Sequence, residues 1–215
     1  MNFLQLTNEV LKRLRETQVD SVSFTEYSTL IGIFVNEAKR EVEDAHDWNS
    51  LNEDILFPTV VGQRDYTLST TSHRTVIKYA YNLTKKWWLN NLSLSQMTRR
   101  QELNFTPVNN DVINYTVTKK SATGSLIVRL DPYPISVQQI VFNVKNPQAQ
   151  LVNNLDELLV PAEPVILNAY LRAINERGED NGNLSQIQQE KYLSSLRDHI
   201  AIDKNYNDDD TLWVA

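Results

Sequence analysis

The chain contains no cysteine, only 5 glycines among 215 residues, and fewer cations than anions, with 21 Lys and Arg against 27 Asp and Glu. The first absence removes disulfide frameworks, thiolate metal sites and cysteine nucleophiles, and it suits assembly in a reducing cytoplasm. The Asn-x-Ser/Thr triplets at Asn82, Asn91 and Asn114 accordingly carry no glycosylation meaning. The scarce glycines form no phosphate-cradling loop, so nucleotide-dependent chemistry is not expected. A net charge of -6 and a pI near 5.1 argue against gripping nucleic acid by phosphate neutralisation, which needs clustered Lys and Arg. No apolar run approaches the ~20 residues that cross a bilayer, and the chain opens on an amphipathic pattern. Neither a signal peptide nor a membrane anchor is expected.

What is present is 41% hydrophobic residues, enough for a sizeable core, arranged with clear periodicity. Phe3, Leu4, Leu6, Val10, Leu11 and Leu14 recur at three-to-four spacing and predict a short helix, with Lys12, Arg13 and Arg15 complementing the dipole at its end. Ser23-Phe-Thr-Glu26 reads as a capping box, with Val22 and Tyr27 as its hydrophobic staple. The stripe that follows predicts a long helix over 24–48, whose core-facing residues are Tyr27, Leu30, Ile31, Phe34, Val35, Ala38, Val42, Ala45 and Trp48. Lys39, Arg40, Glu41, Glu43 and Asp44 are assigned to its solvent face.

From about residue 51 the pattern changes to short segments rich in Val, Ile, Thr and Tyr. Strands are predicted over 55–61, 66–68, 75–81, 112–118, 125–130 and 137–144, with turns at Gly62, 122–124 and 131–134. A short helix is predicted over 94–103, and 112–130 forms the clearest hairpin. Helical periodicity returns at Pro161-Ala-Glu-Pro164 and runs to Gly178. After 179–182, Asn183-Leu-Ser-Gln186 caps a last helix that presents Leu184, Ile187, Leu193, Leu196 and Ile200. The expected fold is α+β: a helical bundle built from 1–50 and 161–206, an antiparallel β domain inserted over 51–160, and an extended C-terminal arm over 207–215.

That arm, Asn207-Asp-Asp-Asp-Thr-Leu-Trp-Val-Ala215, passes from an acidic block to an apolar end. Leu212, Trp213 and Val214 can each contribute roughly 1.5 to 3 kcal/mol when buried in a partner's groove, which reads as a docking anchor. The plain alternative is a terminus that folds back on its own core.

Candidate chemistry is sparse. His46, His73 and His199 are dispersed, without the spacing of a metal site or triad. Glu43 and Asp47 stand one helical turn apart and could serve glycoside hydrolysis in a peptidoglycan hydrolase, but a solvated helix face is the expected explanation, because acidic residues at this spacing on an exposed face are commonplace. Lys85-Lys-Trp-Trp88 could stack bases or sugars, but strand geometry sends Trp87 and Trp88 to opposite faces, one into the core and the other outward or onto a subunit interface. Arg99 and Arg100 read as intersubunit salt-bridge donors rather than a DNA clamp. No cofactor is expected.

Three stretches carry a resemblance: the Phe3-Leu-Gln-Leu6 helix, the long helix ending Val35-Asn-Glu-Ala-Lys-Arg-Glu-Val-Glu-Asp-Ala-His-Asp-Trp48, and Ala173-Ile-Asn-Glu-Arg-Gly-Glu-Asp180. Together, in this order around a β insertion, they resemble the head-to-tail adaptors of short-tailed bacteriophages, the tail tubular protein A group. The resemblance implies a structural virion protein, assembled in the host cytoplasm as a ring, typically of twelve copies, between the capsid portal and the tail nozzle around the DNA channel. The partners it implies are other copies of the chain, the portal protein and the nozzle protein, with a tail fibre as a further candidate. Viral DNA would pass the lumen without specific binding, and no membrane is involved. Other classes are a virion-associated cell-wall hydrolase and a host-derived binding module.

Overall fold

The computed structural model describes residues 1–70, 72–102, 111–178 and 183–205, and their fold is α+β. The helices are α1 (Phe3–Arg13), α2 (Glu26–Ala45), α3 (Leu94–Glu102), α4 (Ala162–Arg177) and α5 (Asn183–Asn205). The strands are β1 (Asn52–Pro58), β2 (Asp65–Leu68), β3 (Val76–Asn82), β4 (Trp87–Trp88), β5 (Asn90–Asn91), β6 (Asn114–Lys120), β7 (Leu126–Asp131) and β8 (Gln139–Lys145). The chain divides into two compact units, Met1–Ser50 with the chain from Gln150 onward, and Leu51–Ala149.

In the first unit, α2 packs against α1 and α4, and α4 packs against α5. Helix α1 begins with a reciprocal cap, in which the Asn2 side chain accepts from the Gln5 amide at 2.9 Å and Gln5 Oε1 accepts from the Asn2 amide at 3.1 Å. Helix α2 is capped two residues later than the sequence suggests. Thr25 Oγ1 accepts from the Ser28 amide, while the Ser28 hydroxyl accepts from the Thr25 amide and donates to the Val22 carbonyl. Ser28 therefore ties the cap to the preceding loop, a tertiary advantage that Glu26 lacks. The helix also stops at Ala45. Trp48 nevertheless remains buried, its indole donating to the Val42 carbonyl at 2.6 Å.

Of the expected core stripe, Ile31, Val35, Ala38, Val42 and Trp48 are buried, Tyr27, Leu30 and Phe34 are half-buried, and Ala45 is exposed. Lys39 and Glu43 require a correction: they are not on a solvent face but are 2% and 0% exposed, paired with each other at 3.1 Å. With α1 and α4 both covering α2, its buried arc is wider than a one-sided amphipathic stripe. The last helix also departs from expectation. Leu184, Ile187 and Leu193 are exposed, and Tyr192, Ser195 and Leu196 form its buried side.

The segment leading into α4 is bonded to the bundle rather than to the strands. Phe3 and Leu4 amides donate to the Asp156 and Asn154 carbonyls, and the Asn36 side chain pairs both ways with the Leu151 backbone. Arg177 stacks over the Tyr27 ring at 4.6 Å, joining α4 to α2. On the other side of α4, Arg172 binds Glu37 and Glu41, and Tyr192 donates to Glu41 at 3.0 Å. Burial and the facing Glu41 carboxylate push the Tyr192 hydroxyl up to about 12.

The second unit is a sandwich of two four-stranded sheets, β1-β8-β3-β4 and β2-β7-β6-β5. All neighbours run antiparallel except β5 and β6, a short parallel pair, so the β region is not purely antiparallel. Between the sheets lie Leu68, Leu126, Val128, Leu130, Ile140 and Phe142, with Phe57 stacked on Tyr66 and Phe142. Gly124 closes the β6–β7 hairpin at φ +90, where a Cβ would meet the Ser72 backbone at 2.9 Å.

Two outcomes are expected. Lys39→Met alone should cost about 3 to 5 kcal/mol, because it takes the facing cation from a buried carboxylate, whereas the double change Lys39→Met with Glu43→Leu should recover most of that loss in urea denaturation. Tyr192 holds its proton more tightly folded than unfolded. Its stabilising contribution should be complete below pH 10 and vanish between about pH 10 and 12, so the stability gap between wild type and Tyr192→Phe should narrow across that window.

Candidate assembly surfaces

The register of the first sheet decides which side chains look outward. Ile140, Phe142 and Val144 of β8 point into the sandwich, so Val141 and Asn143 face out, as do their partners Leu56 and Asp54 on β1 and Tyr81 and Tyr79 on β3. Trp88 pairs with Tyr81 and continues the same row. Beyond the strand ends, Thr59 and Gln138 are hydrogen-bonded and buried, which leaves Val60 and Val137 outward and 55% and 62% exposed. The result is an outer face dominated by Leu56, Val60, Tyr79, Leu83, Trp88 and Val137, all exposed.

Trp88, 63% exposed, is flanked edge-on by Tyr79 and Tyr81, each with ring centroids 5.2 Å away. Trp87 turns the other way, packs against the core and donates from its indole to the Val112 carbonyl at 2.9 Å. The two adjacent indoles thus take opposite faces.

The outer face of the second sheet is different in kind. Asp65 and Arg129 sit opposite each other in register and form a two-bonded ion pair at 2.7 and 3.0 Å, alongside Thr67 and Lys119, while Thr116 on the same side is buried. The hydrogen bonds from Arg129 hold the Asp65 carboxyl below its ordinary range. One sandwich therefore offers a polar face and an apolar one.

Arg99 is exposed at the end of α3, but Arg100 spends its charge within its own chain, with Nε 3.1 Å from Asp131. An intersubunit role for Arg100 would have to compete with that pair. Leu212, Trp213 and Val214 lie outside the described residues.

The bundle carries its own apolar surface. Val22 donates to the Asn154 side chain, and within two residues of this contact stand Phe24, Val152 and Leu155, each at least 70% exposed. The loop that holds the last two is tied back on itself, the Asp156 carboxylate accepting from the Val152 and Asn153 amides at 2.7 and 2.8 Å. Those amides keep the Asp156 carboxyl below its usual range.

The carboxylate pair considered for hydrolysis does not exist as a pair. Glu43 is sealed in the bundle with Lys39, and Asp47 lies past the end of α2. The histidines make separate contacts, His46 with Asp203, His73 with the Ala122 carbonyl and His199 with the Ser195 carbonyl. Among the described residues no group of three or more acidic or imidazole side chains is placed to hold a metal ion.

Sequence reasoning singled out Trp88 but passed over Leu56, Val60, Leu83 and Val137, and Phe24, Val152 and Leu155 on the bundle. A signal was present. Ile55-Leu56-Phe57 and Tyr79-Ala80-Tyr81 are unbroken apolar runs in antiparallel strands, where a solvated outer face would impose alternation.

No curated protein matches the chain. Residues 1–211 match the family described as SU10 adaptor protein. With that match running across both the bundle and the sandwich, the chain belongs to the SU10 adaptor protein family and is a structural phage adaptor, a component of the virion.

Proposed function

We propose that this adaptor assembles as a ring, of twelve copies as in the tail tubular protein A group, between the capsid portal and the tail nozzle, with the viral DNA passing through its lumen. The observation that carries this reading is the family match over residues 1–211, and the open apolar faces support it, since exposed apolar patches of this kind mark sites of association. The bundle supplies a rigid body and the sandwich the surface for nozzle or fibre. The arm over 207–215 anchors the adaptor to the portal through Leu212, Trp213 and Val214.

The charge balance suits a DNA conduit. Arg100, Arg129, Arg172, Arg177, Lys39 and Lys85 are all engaged with carboxylates of the same chain, which leaves fewer cations to hold phosphate. DNA can then slide without being trapped.

Native mass spectrometry of the protein, alone and mixed with the portal protein of its phage, tests the reading. A portal complex carrying a fixed multiple of the adaptor, near twelve, is expected; failure to join the portal at any concentration would refute it. Deleting 207–215 should leave the melting temperature essentially unchanged and weaken portal binding at least ~100-fold, the loss expected from exposing two or three buried anchors. Undiminished docking by the truncated chain would show that the anchor lies elsewhere.

A further inference from the structure

We propose that, within the ring, the outer face of the β1-β8-β3-β4 sheet of one copy packs against the Phe24, Val152 and Leu155 surface of the next copy. This contact rests on the ring reading and specifies how the ring is closed.

Closure sets the first requirement. A cyclic ring of more than two copies is built from a head-to-tail contact, so each chain must carry two different surfaces that fit each other. Among the described residues, besides the Leu184, Ile187 and Leu193 row exposed on α5, two such surfaces stand one on each compact unit. They are chemically alike and both lack an apolar cover: a sheet face centred on Leu56, Tyr79 and Trp88, and a loop surface whose Val152 and Leu155 are 74% and 78% exposed. The opposite face of the sandwich cannot serve as the mate, because it presents the Asp65–Arg129 pair, Thr67 and Lys119. Two sandwiches meeting head to tail would bury that ion pair against aliphatic side chains, at a desolvation cost with no compensating partner.

Size agrees with this. The six large side chains on the sheet face are each between 43% and 63% exposed, more apolar surface on one face than the single scattered residues usual on a monomer. Trp88, with Tyr79 and Tyr81 at its sides, has the composition of an interface hot spot.

Both surfaces are also ordered before they meet, so association need not pay much to fix them. The Val60 backbone is held by the Tyr66 hydroxyl, whose oxygen accepts from its amide at 2.9 Å and whose one proton lies between the Val60 and Gln63 carbonyls, at 3.1 and 3.0 Å. Thr59 and Gln138 lock the facing loop. On the bundle, the Asp156 carboxylate fixes the Val152 turn, while Leu158 and Phe3 tie its ends to the start of α1. Charge at the contact is partly met within the chain: Asp54 on the sheet face accepts from Asn143 at 2.7 Å and Asp156 is satisfied by its own loop, while Lys145, next outward on β8, and Lys78 at the β3 bulge stand at the edge of the row.

The absence of cysteine makes the contact directly testable. Cysteine would be placed at Val60 or Trp88 on the sheet and at Val152 or Leu155 on the loop, in the four pairwise combinations, and rings assembled on the portal would be oxidised. At least one combination should yield a disulfide ladder of linked copies reaching the full ring. Rings that form but give no inter-copy disulfide in any combination would overturn the contact, as would a disulfide closed within a single chain. Cross-linking of the sheet cysteine to another sheet cysteine would overturn it too, since that indicates a two-fold pairing. Separately, Trp88→Asp and Leu155→Asp should each keep the wild-type melting temperature and lower ring yield by about tenfold or more; full rings from either variant would also refute the proposal. If wild type forms no ring, the ring reading itself fails, and that result is distinct from intact rings without the contact.

Discussion

Helix α2 is covered on two sides, by α1 before it and by α4 from the far end of the chain, and the first unit depends on that burial. The helix cannot be enclosed until the chain has passed through the whole sandwich and returned. The return is held by specific bonds: Asn36 in the middle of α2 pairs with the Leu151 backbone through both its amide nitrogen and its oxygen, at 3.0 and 2.8 Å, and Arg177 lies over Tyr27 near the start of the helix. Enclosure has an electrostatic consequence. Lys39 and Glu43 lose solvent together, which is tolerable only because one helical turn places them in contact.

The sandwich obeys a different constraint. Its interior is filled by both sheets, yet β1, β3 and β8 continue to place apolar residues on their outer sides, where a free-standing domain would place polar ones. The second sheet follows the ordinary rule, with Asp65 and Arg129 paired across β2 and β7. A fold with one dry face and one wet face is half of an interface, and that property connects the architecture to a protein whose role in the virion is association.

The same logic applies to charge. The chain is acidic overall, and many of its cations are committed to internal pairs that stabilise the two units, among them Arg172 on α4 and Arg100 on α3. These groups act as structural ties first.

Periodicity along the chain determined the α+β class, the positions of the five helices among the described residues to within a few residues and the presence of the β6–β7 hairpin, because those features depend on which side chains recur at 3.6 or at 2 residues. It also carried the resemblance that the family match over residues 1–211 bears out. Tertiary structure alone decided that Lys39 and Glu43 are interior, that Thr25 and Ser28 rather than Ser23 and Glu26 cap α2, and that β5 runs parallel to β6. It alone decided which sheet face stays open, since an apolar strand run shows that both sides want cover without saying which side the other sheet takes. The physical reason is common to all of these: local pattern reports the preference of a side chain, while burial depends on what the rest of the chain brings against it.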